Sequence, residues 1–108
     1  LEAVDAGHVR AVDVLLSKGA DPSARDRGGE SALTLASRRG SPEIVARLLD
    51  AHAAIDAPEA RGNTPLMLAI AGGHTGVASL LLARGASAAP RNADGLGAWD
   101  LADRGGLT

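Results

Sequence analysis

Thr64-Pro65-Leu66-Met67-Leu68-Ala69-Ile70-Ala71-Gly72-Gly73 reads as one short helix with its start and its stop. Thr64 carries a side-chain oxygen suited to capping the first turn. Pro65 fits the first helical position, where a backbone N–H would have no partner in any case. Leu66, Leu68 and Ala69 supply the inner face, and Gly72-Gly73 ends the run. A second helix follows at once. Val77, Ala78, Leu81 and Leu82 recur at i, i+1, i+4 and i+5, which marks one apolar helix face, and Gly85 closes it.

The pattern returns at a fixed step. Gly73, Gly40 and Gly7 are separated by 73 − 40 = 33 and 40 − 7 = 33 residues. Leu15, Leu48 and Leu81 share that step, as do Ala20, Ala53 and Ala86, and Ala3, Ala36, Ala69 and Ala102 extend it to a fourth copy. A period of this size means one supersecondary unit stacked on itself. Such a stack presents a surface, and its usual work is binding.

The copy before the opening stretch is equally readable. Gly28-Gly29 marks a turn, Ser31 is placed to cap, and Leu33, Leu35 and Ala36 face inward up to Gly40. Ser41 is placed to cap the next helix, with Pro42 at its first position and Glu43 in its first turn, where the helix dipole favours an acid. Ile44, Val45, Leu48 and Leu49 form its apolar face, and it ends near His52. The expected units are a partial one over 1–24, full ones over 25–57 and 58–90, and a partial one over 91–108. Helices this short do not stand alone in water, so packing between neighbours must hold them.

Composition agrees. The chain has 108 residues, 45% of them hydrophobic, yet its only aromatic residue is Trp99. Thin layers of Leu, Val and Ala suit a stack better than a single large core. The net charge of −2 is no footprint for general nucleic-acid binding. The absence of cysteine excludes disulfides, thiol catalysis and cysteine-held zinc, and leaves the compartment open. No apolar run approaches the roughly 18–20 residues of a membrane span.

These units resemble the ankyrin repeat. Gly62-Asn63-Thr64-Pro65-Leu66-Met67-Leu68-Ala69, followed by Gly73-His74, is similar to that family's G-x-T-P-L-H-L-A with its later G-H. Gly29-Glu30-Ser31-Ala32-Leu33-Thr34-Leu35-Ala36 is a looser copy. Leu15-Leu16-Ser17-Lys18-Gly19-Ala20-Asp21 and Leu81-Leu82-Ala83-Arg84-Gly85-Ala86-Ser87 match the second-helix ending. The resemblance covers the whole chain and implies an all-α solenoid of helix-turn-helix units joined by short β-hairpin-like loops. Departures from the pattern are local. The family's first-helix histidine is replaced by Thr34, Met67 and Asp100, and Gly97-Ala98-Trp99 stands where Thr-Pro-Leu is expected. His52 takes the place of a glycine that favours positive φ, a conformation costly for any other residue.

Catalytic and metal readings are weak. The resemblance implies a structural role for His8 and His74 at the start of second helices. His52 lacks partners at ligand spacing. No serine sits on a strained nucleophile elbow. Gly95-Leu96-Gly97 lacks the third glycine and the preceding strand of a dinucleotide site, and reads as turn. No catalytic residue, cofactor or metal is expected.

The resemblance implies that hairpin tips and the exposed side of first helices line a concave partner-binding groove. Mapped here, the candidate residues are Arg27, Glu30, Arg38, Arg39, Arg61, Asn63, Asp94, Leu96 and Arg104. Arginine's flat fork pairs bidentately with carboxylates, so the expected partner is an acidic protein segment, with no nucleic acid and no membrane. The competing expectations are a regulatory or targeting module of a larger enzyme or effector, and a small-molecule or nucleic-acid binder. Scarce aromatics argue against base stacking. Trp99 falls at a core leucine position and is expected to be buried in the last layer. Its alternative is contact with a partner or a second copy, giving self-association through the C-terminal end.

Overall fold

The computed structural model describes residues 18–19 and 29–105. Five helices run through the second part: α1 Ala32–Arg39, α2 Pro42–Asp50, α3 Pro65–Ala71, α4 Thr75–Ala83 and α5 Ala98–Gly105. Expectations that rest on residues 1–17, 20–28 and 106–108 lie outside the described residues.

The caps behave largely as their residue types dictate. Ser31 accepts a hydrogen bond from the Thr34 backbone N–H at 3.2 Å, and the Thr34 hydroxyl accepts one from the Ser31 N–H at 2.9 Å. This reciprocal box satisfies two helix-end donors at once. Thr64 caps α3 by accepting from Met67 N–H at 3.3 Å. Ser41 departs from expectation: it precedes α2, but its side chain makes no capping bond. Its ψ of 89° differs from the extended ψ of 167° and 164° at Ser31 and Thr64.

Two glycines are required by their surroundings. Gly40 ends α1 with φ 78°, and a Cβ there would overlap the His74 ring. Gly62 has φ 82°, and a Cβ would stand 3.1 Å from the Asn92 Cα of the next unit. The single non-glycine residue with positive φ among the described residues is His52, at 69°, as the missing glycine predicted.

Packing is layered. α1 pairs with α2 and α3 with α4, while α1, α3 and α5 form one row and α2 and α4 a second. Leu33, Ile44, Val45, Leu48, Leu66, Val77 and Leu81 are buried between them, with Ala36, Ala69 and Ala102 closing the gaps. His74 ties two units together: its Nε2 donates to the Arg38 carbonyl oxygen at 3.0 Å. A carbonyl can only accept, so Nε2 carries the proton.

Three apolar expectations fail. Leu35 is 39% exposed, although Leu68, one step later, is buried. Leu82 is 41% exposed because Val77 and Leu81 already take the inward face of α4. Trp99 is 58% exposed, not buried. Its counterparts Leu33 and Leu66 sit on helices paired with a second helix, and α5 has no such partner among the described residues.

Candidate functional site

The loop before α3 is a tight turn closed from inside by a carboxylate. Glu59 N–H donates to the Asn63 carbonyl and Gly62 N–H to the Glu59 carbonyl, both at 2.9 Å. Glu59 Oε1 then accepts from the backbone N–H of Arg61 at 2.7 Å and of Asn63 at 2.9 Å. The next turn repeats this one step on, since 92 − 59 = 33. Asn92 Oδ1 accepts from Asp94 N–H at 2.9 Å and Leu96 N–H at 3.0 Å. The two turns are stitched together by Ala93 N–H donating to the Arg61 carbonyl at 2.8 Å. Asn92 Nδ2 also donates to Asn63 Oδ1, at 2.9 Å.

Arg38 reaches this turn from the last turn of α1. Its Nε donates to Glu30 Oε1 at 3.2 Å and its Nη2 to Glu30 Oε2 at 3.3 Å, a two-point pairing. The same Nη2 lies 3.4 Å from Glu59 Oε2. Burial opposes ionisation of Glu59. The backbone N–H groups of Asn63 and Arg61, the Asn63 side chain and the Arg38 charge outweigh it, and hold the carboxyl below its ordinary range. The result is one polar chain along the loop rim, from Glu30 through Arg38, Glu59 and Asn63 to Asn92.

Of the residues expected at the groove, Arg38 and Glu30 are brought together and partly neutralise each other. Arg39 and Arg61 are exposed, and their side chains make no hydrogen bond or ion pair among the described residues. Asn63 is half-buried and spends its amide within the turns. Asp94 stands exposed at the second turn, one step after Arg61, and Leu96 is half-buried. Arg27 and the Arg104 side chain lie outside the described residues. Sequence reading passed over Glu59 and Asn92. Their signal was present: each stands three residues before a positive-φ glycine, Gly62 and Gly95, at the 33-residue step. Among the described residues no group of three or more His, Cys, Asp or Glu is placed to hold a metal ion, and no helix is long and apolar enough to cross a membrane.

Comparison with known proteins agrees with this geometry. A family model described as ankyrin repeats, in three copies, matches residues 1–92. Ankyrin repeat and KH domain-containing protein mask-1 of Caenorhabditis elegans is 42% identical over 88 residues, 80% of this chain and 3% of the relative. Ankyrin repeat domain-containing protein 63 of Homo sapiens is 38% identical over 73 residues, covering 68% of this chain and 19% of the relative. E3 ubiquitin-protein ligase KEG of Arabidopsis thaliana is 37% identical over 75 residues, 68% of this chain and 5% of the relative. The chain therefore spans only a small part of the length of these relatives.

Proposed function

The chain belongs to the ankyrin repeat family, and from that premise we propose that it recognises an acidic segment of a partner protein along its row of turns and first helices. Ankyrin repeats are protein–protein interaction modules, and the repeat domain itself is a non-catalytic binding fold. The observation that carries the finer reading is the pair of exposed guanidinium groups, Arg39 and Arg61, unpaired among the described residues. Arg38 stands beside Arg39, held in a fixed orientation. Arg27, Glu30, Asn63, Asp94, Leu96 and Arg104 complete the surface proposed for the partner, with Asn63 acting from within the turn.

The test is a charge reversal, Arg39→Glu with Arg61→Glu, titrated with a hexaglutamate peptide at low ionic strength. Affinity is expected to fall about tenfold or more with the circular dichroism spectrum unchanged, and to weaken with salt in the parent protein. Unchanged affinity in the folded variant sinks the acidic-segment reading.

A second reading, a regulatory or targeting module within a larger enzyme or effector, is favoured by the small share of each relative that the chain covers. An antibody raised against the chain should then detect a product well above 10.8 kDa in source cells. A band at that mass alone rejects it. Self-association through the end bearing Trp99 is supported by the exposed indole. A sedimentation coefficient that does not rise with concentration rejects it.

A further inference from the structure

Among the described residues Arg38 is the one groove arginine whose fork is occupied, and its two carboxylate partners differ in kind. Glu59 is a fixture. Its side chain is 7% exposed, and Oε1 is bound by two backbone N–H groups, so its position is set by the turn itself. Glu30 is an arm. Its side chain is 22% exposed, it precedes α1, and it meets an arginine that is 49% exposed. An ion pair so placed contributes little net free energy, because water screens it and two side chains must be ordered to make it. Nor is the pair part of the repeat scaffold. One step on, position 63 is asparagine and position 71 is alanine, and the same layer packs without them.

The geometry of the pairing is the second observation. Glu30 presents both carboxylate oxygens to the Nε–Nη2 edge of Arg38. That edge is the one through which arginine receives an incoming carboxylate bidentately. Glu59 touches the same Nη2 from the buried side.

We propose that Glu30 occupies the place of a partner's carboxylate on Arg38, so that an acidic ligand binds by exchanging with it, while Glu59 stays and keeps the guanidinium oriented. Glu30 is then the specificity-determining residue of the groove and Glu59 its positioning residue. The proposal rests on the acidic-segment reading above and deepens it. It also separates from simple electrostatics. Replacing either glutamate with glutamine removes one negative charge, and a general field effect would strengthen binding of an anion in both cases. Exchange requires opposite signs. Glu30→Gln frees the fork, and Glu59→Gln lets it wander.

The experiment titrates the 108-residue chain and its variants with hexaglutamate at neutral pH and low salt, following the Arg38 Nε–H resonance. Glu30→Gln is expected to tighten binding about two- to fivefold, the range spanned by an exposed ion pair, and Glu59→Gln to weaken it. The Arg38 resonance should move on titration in the parent protein. Should Glu59→Gln not fold, Arg38→Met placed in the Glu30→Gln background must erase the gain. Shifts in the same direction for both glutamine variants, or a gain that survives Arg38→Met, overturn the exchange while the acidic-segment reading stands. Failure of hexaglutamate to bind either the parent or Glu30→Gln overturns both.

Discussion

Two residues facing one backbone requirement make opposite predictions. Gly40 and His52 each end a helix with positive φ, at 78° and 69°. A left-handed conformation costs an L-residue about 1–2 kcal/mol, and glycine returns part of that gain as unfolded-state entropy, about 0.5–1 kcal/mol. His52→Gly is therefore expected to stabilise by about 0.5–1 kcal/mol in urea unfolding. Gly40→Ala should destabilise by at least about 1–2 kcal/mol, because it adds overlap with the His74 ring to the backbone cost. If the two variants shift the urea midpoint in the same direction, the reading of these helix ends is wrong. His74 is also where one side chain binds two units, through its bond to the Arg38 carbonyl. Loss of that ring would loosen the contact between the last turn of α1 and the start of α4.

Among the elements, the turns carry the chemistry. Glu59 has a folded-state pKa below its ordinary value of 4.5. A depressed acid contributes stability that is present above the unfolded pKa and is lost as pH falls through the folded one. The chain should accordingly lose stability below about pH 4.5. Glu59→Gln should be less stable at pH 7 and show a shallower acid limb, read from urea midpoints at several pH values. An acid limb unchanged by the substitution removes Glu59 from this role. The helices were legible in the sequence because caps, proline and glycine act locally, as Ser31, Thr64, Pro65 and Gly40 show. What was not legible depended on neighbours. Leu35, Leu82 and Trp99 have core residue types, but exposure is decided by which helix lies opposite. Glu59 and Asn92 escaped notice because a lone acid or amide in a polar loop looks solvated. Only the turn geometry reveals two backbone N–H groups converging on each. The groove arginines were located by resemblance, yet which of them is engaged depended on where Glu30 and Glu59 point.

At the scale of the whole molecule, stability is a sum of contacts between neighbouring units and no element has a core of its own. α3 lies in the middle of the described row, packed against α1, α4 and α5. Leu66 is fully buried there, while Leu82 on α4 is 41% exposed. Leu66→Ala should cost about 2–5 kcal/mol through lost burial and the cavity left behind, and Leu82→Ala well under half as much. Thermal unfolding by far-ultraviolet circular dichroism measures both. Comparable losses would mean that the layering is misassigned. The same arrangement gives Trp99 an optical consequence. It is the chain's sole fluorophore of its kind, and it already faces water. Emission from the isolated chain should peak near that of free indole in buffer and hardly redden in denaturant, so tryptophan fluorescence will report a folded protein as though it were unfolded. A shift to the blue would instead announce that something has settled over the last helix.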